Sequence, residues 1–337
     1  MPYTPSIGII ANPESGRDIR RLVAHASVVD NLEKANMVKR IIATVEKLGV
    51  EKLVVMPETF GITERALSML PQKPCIDIEF IDMRVIGDWR DTYYAAKYMD
   101  SKVGAIIVIG GDGTNRVVAK ADVGTPLMPI STGTNNVFPE MIEATIAAVA
   151  AAVIATGVVK KEDATYRAKK IELFVNNELA DIALVDAATT IHQFTASRAV
   201  WKPEYICEIL AAIAAPYNIG LSSIPGIISA VSQKDDHAVY VEITHNNPKK
   251  HITAPIAPGL VKKIPIGDAR VLKLGEKIEL KTRPSVIALD GERELEISKD
   301  DILEARVVRK GPLVIDYKKA LLLASRNLVE NIVASTP

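Results

Sequence analysis

A chain of 337 residues is long for a single hydrophobic core and points to two domains. Its 41 basic and 41 acidic side chains balance, which argues against a nucleic-acid or acidic-lipid surface as partner. Cys75 and Cys207 lie far apart and suit a reducing cytoplasm, and five histidines without His-x-x-x-His or Cys-x-x-Cys spacing leave no dedicated zinc site.

The N-terminus lacks a basic segment followed by an apolar stretch, so no signal peptide is expected. Ile7-Gly8-Ile9-Ile10-Ala11 reads as a buried strand, ended by the turn-rich stretch Asn12-Pro13-Glu14-Ser15-Gly16-Arg17-Asp18. A helix is predicted from about Asp30 to Leu48, closed by Gly49. Strands at 53–56 and 76–81 follow, with short helices near 63–70 and 91–99.

Ile106-Ile107-Val108-Ile109 is next, a β-branched run that enters Gly110-Gly111-Asp112-Gly113-Thr114-Asn115. At average composition, Gly-Gly-Asp-Gly-Thr arises by chance in roughly a few chains per ten thousand of this length, so it demands an explanation. Three glycines permit positive φ and close approach of a ligand, and successive N–H groups at a helix start make an anion site. Asp112 is then the one carboxylate in a turn suited to holding negative charge. The motif is neither Gly-x-Gly-x-x-Gly nor a Walker A loop, which argues against hydride transfer and P-loop chemistry.

A short strand at 127–130 leads into Ser131-Thr132-Gly133-Thr134-Asn135-Asn136, and an alanine-rich helix is predicted from about Pro139. The apolar stretch Met141 to Val159 contains Glu143 and reads as a buried helix, not a membrane span. Alternation of this kind predicts a doubly wound parallel sheet, with ligands at the strand carboxyl ends. The polar turns at 12–18, 110–114 and 131–136 all fall there.

Beyond about residue 157 the pattern becomes β-rich: a hairpin around Asn176-Asn177, a helical interlude at 203–214 and 226–232, then strands at 239–244, 252–257, 277–281, 286–289, 294–297 and 303–308. These predict a sandwich-like domain over 158–316, and a helix over 317–333 that must dock and is expected back on the α/β domain. The expected units are therefore 1–157 with 317–337, and 158–316.

Asn12-Pro13-Glu14-Ser15-Gly16, Gly110 to Thr114, Gly133-Thr134-Asn135-Asn136 and Asp290-Gly291-Glu292, in that order, resemble the superfamily of NAD kinases and diacylglycerol/sphingosine-type lipid kinases. Residues 16–22 and 254–260 look most like its branch of ATP- or polyphosphate-dependent NAD kinases. The resemblance implies an NAD kinase-like fold, phosphoryl transfer from ATP or polyphosphate with Mg²⁺, and NAD as acceptor. Asp112 would be the base toward the adenosine-ribose 2′-hydroxyl, or would work with Mg²⁺ and phosphates in a lipid kinase. The turns holding Gly110, Gly111, Gly113, Thr114, Asn115, Gly133, Thr134, Asn135 and Asn136 would hold donor phosphates, with Asn135 and Asn136 contacting phosphate or ribose or Asn136 only capping the helix, and Asn12, Ser15 and Gly16 would belong to the cofactor-binding set. Asp290 and Glu292 would face the cleft from the β domain. Family members commonly associate through that domain, so a homo-oligomer is expected.

One departure stands out. NAD kinases read adenosine with an Asn-Glu or Asn-Asp pair at a strand end, whereas Ala183-Leu184-Val185-Asp186 keeps the acid, Asp186, and replaces the amide with Val185. A lipid or small-alcohol kinase of the same fold and a non-catalytic nucleotide-binding accessory protein therefore stay open. Arg17, Arg20 and Arg21 offer guanidinium groups to phosphate or form a solvated face, while His192 and Trp201 read as packing or surface residues.

Overall fold

The computed structural model describes residues 4–16, 29–191 and 203–334. The first domain alternates β1 (Ser6–Ala11), α1 (Asn31–Lys47), β2 (Lys52–Val55), α2 (Ile62–Ser68), β3 (Asp77–Phe80), α3 (Trp89–Met99), β4 (Ala105–Gly110), α4 (Asp112–Lys120), β5 (Leu127–Ser131) and α5 (Ala144–Ala155). Pairing among these strands is parallel, in the order β3-β2-β1-β4-β5, so the winding reverses between β1 and β4.

The near-continuous apolar runs have a physical cause: both sheet faces are covered. Ile7, Ile9, Ile107 and Ile109 join the core with α1 and α5, while Ile10, Ile106 and Val108 join the core with α3 and α4. Helix α1 matches its prediction, with the Asp30 carboxylate accepting from Glu33 N–H at 2.8 Å and Gly49 left-handed just beyond its end.

Helix α5 starts at Ala144, not near Pro139. Residues 137–140 are held out of it by tertiary bonds: Val137 and Phe138 N–H donate to Asp112, and Ser131 N–H donates to Glu140 O at 2.9 Å. No described helix is long and apolar enough to cross a membrane.

The chain continues through α6 (Lys161–Ala164), β6 (Thr165–Arg167), β7 (Lys170–Val175), β8 (Glu178–Ala183), β9 (Asp186–Thr190), β10 (Ile206–Ala211), α7 (Ser223–Ile228), β11 (His237–Ile243), β12 (Lys250–Ala257), β13 (Leu260–Lys273), β14 (Lys277–Glu279), β15 (Ser285–Leu289), β16 (Glu292–Ile297), β17 (Leu303–Val308), β18 (Leu313–Ile315) and α8 (Tyr317–Ala334). A sheet ordered β12-β13-β11-β10-β9-β15-β16 stacks on a second ordered β14-β17-β7-β8. Leu173, Ala187, Leu210, Ile287 and Leu303 fill the space between them. The Asn176-Asn177 turn has positive φ at both residues, as a tight hairpin requires.

The predicted helix over 203–214 is instead a 3₁₀ turn at Pro203–Tyr205 followed by strand β10. Leu210 packs toward the sandwich core while Ile209 and Ala211 pack on the opposite face, so burial on both sides erased the period-2 signal. Glu208 lies buried within that strand, accepting from Tyr240 OH at 2.7 Å and from Lys281 and Thr282 N–H. Strand β13 went unread because Pro265 and Gly267 interrupt its pattern.

Residues 165–167 and 313–315, assigned by sequence to the β-rich unit, extend the first sheet: β18 pairs in parallel with β5, and β6 pairs antiparallel with β18. The β unit is thus an insertion carried between two strands of the first sheet. Helix α8 follows β18 and sets Ala320 and Ala324 into the core shared by α1 and α5.

Candidate active site

Three polar turns meet at the carboxyl ends of β1, β4 and β5. Asn12 links the first to the second: its N–H donates to Ile109 O at 3.0 Å and its Nδ2 to Thr114 Oγ1 at 2.8 Å. Asn12 Oδ1 accepts from Glu14 N–H, and Ser15 Oγ donates to Asn12 O at 2.8 Å. Gly16 has φ +79°, and a Cβ there would stand 3.1 Å from Thr132 O, beside the third turn.

The glycines of the second turn answer a different need from the one the sequence suggested. None of Gly110, Gly111 and Gly113 has positive φ. Gly111 is the extended N-cap of α4, with φ −99° and ψ −169°. Close approach is what requires glycine here. A Cβ on Gly110 would meet the Thr114 side chain at 2.6 Å, and one on Gly111 would meet Asn136 Oδ1 at 2.8 Å. Gly110→Ala should therefore cost about 1–3 kcal/mol by overpacking and push Thr114 off Asn12, read as a lower urea midpoint at unchanged m-value. A wild-type midpoint would show that Thr114 yields without penalty.

Asp112 opens α4 and is nearly buried. Its carboxylate accepts from Val137 N–H at 3.0 Å and Phe138 N–H at 2.8 Å. Asp112 N–H in turn donates to Asn136 Oδ1 at 3.3 Å, and Asn136 Nδ2 donates to Ser131 Oγ at 2.8 Å. Asp112 thus fastens the third turn to the second, a structural task its motif does not announce. Asn115 is buried, with Nδ2 donating to Gly111 O at 2.9 Å. Gly133 O accepts from Ser131 Oγ, while Thr134 is exposed and touches Asn135 at 3.4 Å. The N–H groups of Gly113 and Thr114 find no acceptor among the described residues, leaving the start of α4 able to receive an anion.

Across the gap, Asp290-Gly291 is a two-residue hairpin turn with positive φ at both positions. The Asp290 carboxylate points inward, not into the cleft as the resemblance implied. It accepts from Leu184, Val185 and Asp186 N–H at 3.0, 2.7 and 3.3 Å. Asp186, at the start of β9, is buried as well. Glu292 does reach the first domain: a Cβ on Gly113 would lie 3.5 Å from either of its carboxylate oxygens. The Val185 side chain is only 2% exposed and packs with Phe138, Leu184, Ala168 and Val314.

Arg116 received no role from its sequence context, yet it is the main ionic link between the units. The side chain is 3% exposed, and its guanidinium donates to Glu294 at 2.5 Å, with Asp290 at 3.7 Å and Asp181 at 3.9 Å. Lys120, one turn on, pairs with Asp181 at 2.7 Å. The i,i+4 spacing of Arg116 and Lys120 was the available signal. Burial works to lower the Arg116 pKa, but Asp290 and Glu294 outweigh it and hold the guanidinium above its ordinary value. Burial pushes Asp290 up to about 6, against Arg116 and the three amides that favour its charged form. Arg17, Arg20, Arg21, His192 and Trp201 lie outside the described residues.

Residues 7–158 match the family described as ATP-NAD kinase N-terminal domain, and residues 169–310 match that described as acetoin catabolism protein X C-terminal domain. Acetoin catabolism protein X of Cupriavidus necator is 36% identical over 308 residues, covering 88% of this chain and 86% of that protein. Among solved structures, yeast NADH kinase complexed with NADH has a TM-score of 0.48 and 12% identity, covering 94% of this chain and 86% of that one. A diacylglycerol kinase from Bacillus anthracis str. Sterne has a TM-score of 0.45 and 13% identity, covering 92% and 96%. Two adjoining domain matches and a relative that aligns along most of both chains agree: the chain belongs to the acetoin catabolism protein X family, with an N-terminal domain of the ATP-NAD kinase type.

Proposed function

We propose that the chain is a phosphotransferase that moves a phosphoryl group from ATP or polyphosphate to a hydroxyl, with the adenosine-ribose 2′-hydroxyl of NAD as acceptor. The observation that carries this reading is the start of α4: open N–H groups on Gly113 and Thr114, beside two further polar turns at the point where the winding reverses. The match of residues 7–158 to the ATP-NAD kinase N-terminal domain supports it.

Phosphoryl transfer asks the protein chiefly for positioning and charge neutralisation. In this reading the N–H groups at the start of α4 and of the 12–16 turn hold donor oxygens. The acceptor oxygen forms its bond to phosphorus as the bridging oxygen of ADP or of the shortened polyphosphate leaves, and Asp112 takes the hydroxyl proton late. Among the described residues no group of three or more His, Cys, Asp or Glu could hold a metal by itself. Mg²⁺ would be carried in on the phosphates, and Glu292 beside Gly113 is a protein carboxylate that could hold it. The ion would supply neutralisation of the developing charge.

Packing of Val185 favours a second reading, a kinase of the same fold acting on a lipid or another small alcohol, because no amide at 185 reaches the cleft to read adenine. The third is a nucleotide-binding accessory protein of acetoin catabolism, without chemistry. Purified protein assayed with ATP and with polyphosphate against NAD, NADH, diacylglycerol and sphingoid bases separates them. NADP formation supports the first reading; its absence with every donor sinks it.

A further inference from the structure

Lys34 lies in the first turn of α1, where a lysine would ordinarily extend into solvent, yet its side chain is 0% exposed. Its ammonium, with three N–H donors, lies within hydrogen-bond reach of four oxygens: the carbonyls of Asn12 at 2.9 Å, Pro13 at 3.2 Å and Ser15 at 2.7 Å, and Asn31 Oδ1 at 3.1 Å. Such an arrangement resembles a bound cation more than a surface lysine: one charge collects three main-chain oxygens of one turn and fixes their direction.

The direction matters because the C=O and N–H of a trans peptide point opposite ways. Drawing Ser15 O toward Lys34 turns the Gly16 N–H away from it, and no acceptor among the described residues takes that N–H. Gly16 sits against Thr132, at the edge of the third polar turn. The same turn passes its order on to the second, since Asn12 Nδ2 holds Thr114 Oγ1 at 2.8 Å within the first turn of α4.

We propose that Lys34 is a positioning residue for the phosphate donor: from behind the 12–16 turn it orients peptide groups toward an anion and, through Asn12 and Thr114, steadies the start of α4. The donor half of this inference rests on the phosphotransferase reading. The positioning half is independent of it, because it concerns the order of two turns in the unliganded chain.

The test uses the full chain as wild type, Lys34→Met and Lys34→Gln, the second keeping two N–H donors should the first fail to fold. Hydrogen exchange followed by mass spectrometry reads the turns, and calorimetry with ATP and with inorganic tripolyphosphate reads the donor site. Both variants should exchange the hydrogen-bonded amides of Glu14, Ser15, Asp112 and Asn115 about tenfold faster or more, while strand amides at 7–10 and 106–109 keep wild-type protection. Donor affinity should fall about tenfold or more in Lys34→Met and less in Lys34→Gln. Unchanged exchange at Glu14 and Ser15, or loosening there without loosening at Asp112 and Asn115, overturns the positioning role. If wild type binds and Lys34→Met binds equally well, Lys34 has no donor role. Wild type that binds neither ATP nor tripolyphosphate sinks the donor reading itself, and the exchange data still decide the positioning role.

Discussion

Asp112→Asn is expected to lower phosphoryl transfer by at least about 100-fold, in the range assigned to a positioned general base. The substitution separates the two tasks of this side chain. An amide oxygen can still accept the Val137 and Phe138 N–H groups that the carboxylate now holds at 3.0 and 2.8 Å, so the third turn retains its anchor. The amide cannot take a proton from a hydroxyl. Losing the charge on those bonds should cost about 1–2 kcal/mol, seen as a modest drop in melting temperature. Rates with NAD and either donor, beside a thermal melt, check both parts. A variant that melts lower but turns over at the wild-type rate would make Asp112 a purely structural residue and move the chemistry elsewhere.

Arg116→Met is expected to be the most damaging single change at the junction of the two units. It leaves Asp290 and Glu294 without their guanidinium and Asp181 with Lys120 alone. Removing one partner from a buried ionic group costs about 3–5 kcal/mol, which lowers the melting temperature by an amount on the order of 10 °C. The loss should depend on pH in a defined sense. Asp290 has a folded pKa pushed up to about 6, above its unfolded value. Its protonated form therefore contributes stability that is fully present below the unfolded pKa and is lost as pH rises through the folded value. Without Arg116 the folded pKa rises further, so protonation relieves the variant at pH 5 and not at pH 8. Urea titrations at the two pH values should show a clearly larger wild-type-to-variant gap at pH 8. An equal gap would mean that Asp290 does not titrate in this window.

The two predictions concern residues of unequal visibility in the sequence. Asp112 stands in a motif too improbable to ignore, and the apolar runs on either side of the polar turns indicated strand, turn and helix because those signals are local. The short β-branched apolar runs bounded by turn residues, Asp30 and Gly49 at the ends of α1, and the Asn176-Asn177 hairpin are each signalled by neighbours a few residues away. Long-range effects were hidden. Strand β10 resembled a helix because both its faces are buried, and α5 started late because hydrogen bonds to Asp112 and Ser131 hold residues 137–140 out of it.

By itself, then, the sequence determined the alternating α/β half, the existence of a β-rich unit, the three polar turns and the family that carries them. Only the tertiary structure decided what each polar group does. It showed that Gly110 and Gly111 are required by the nearness of Thr114 and Asn136 and not by left-handed backbone. It turned Asp290 inward onto three amides and set Glu292 against Gly113. It brought Arg116 to partners 65 and more positions away, and placed Lys34 beneath the 12–16 turn. The physical reason is the same throughout. Local propensity and periodicity are written in adjacent residues, whereas the partner of a buried charge is chosen by whichever distant strand the fold lays beside it.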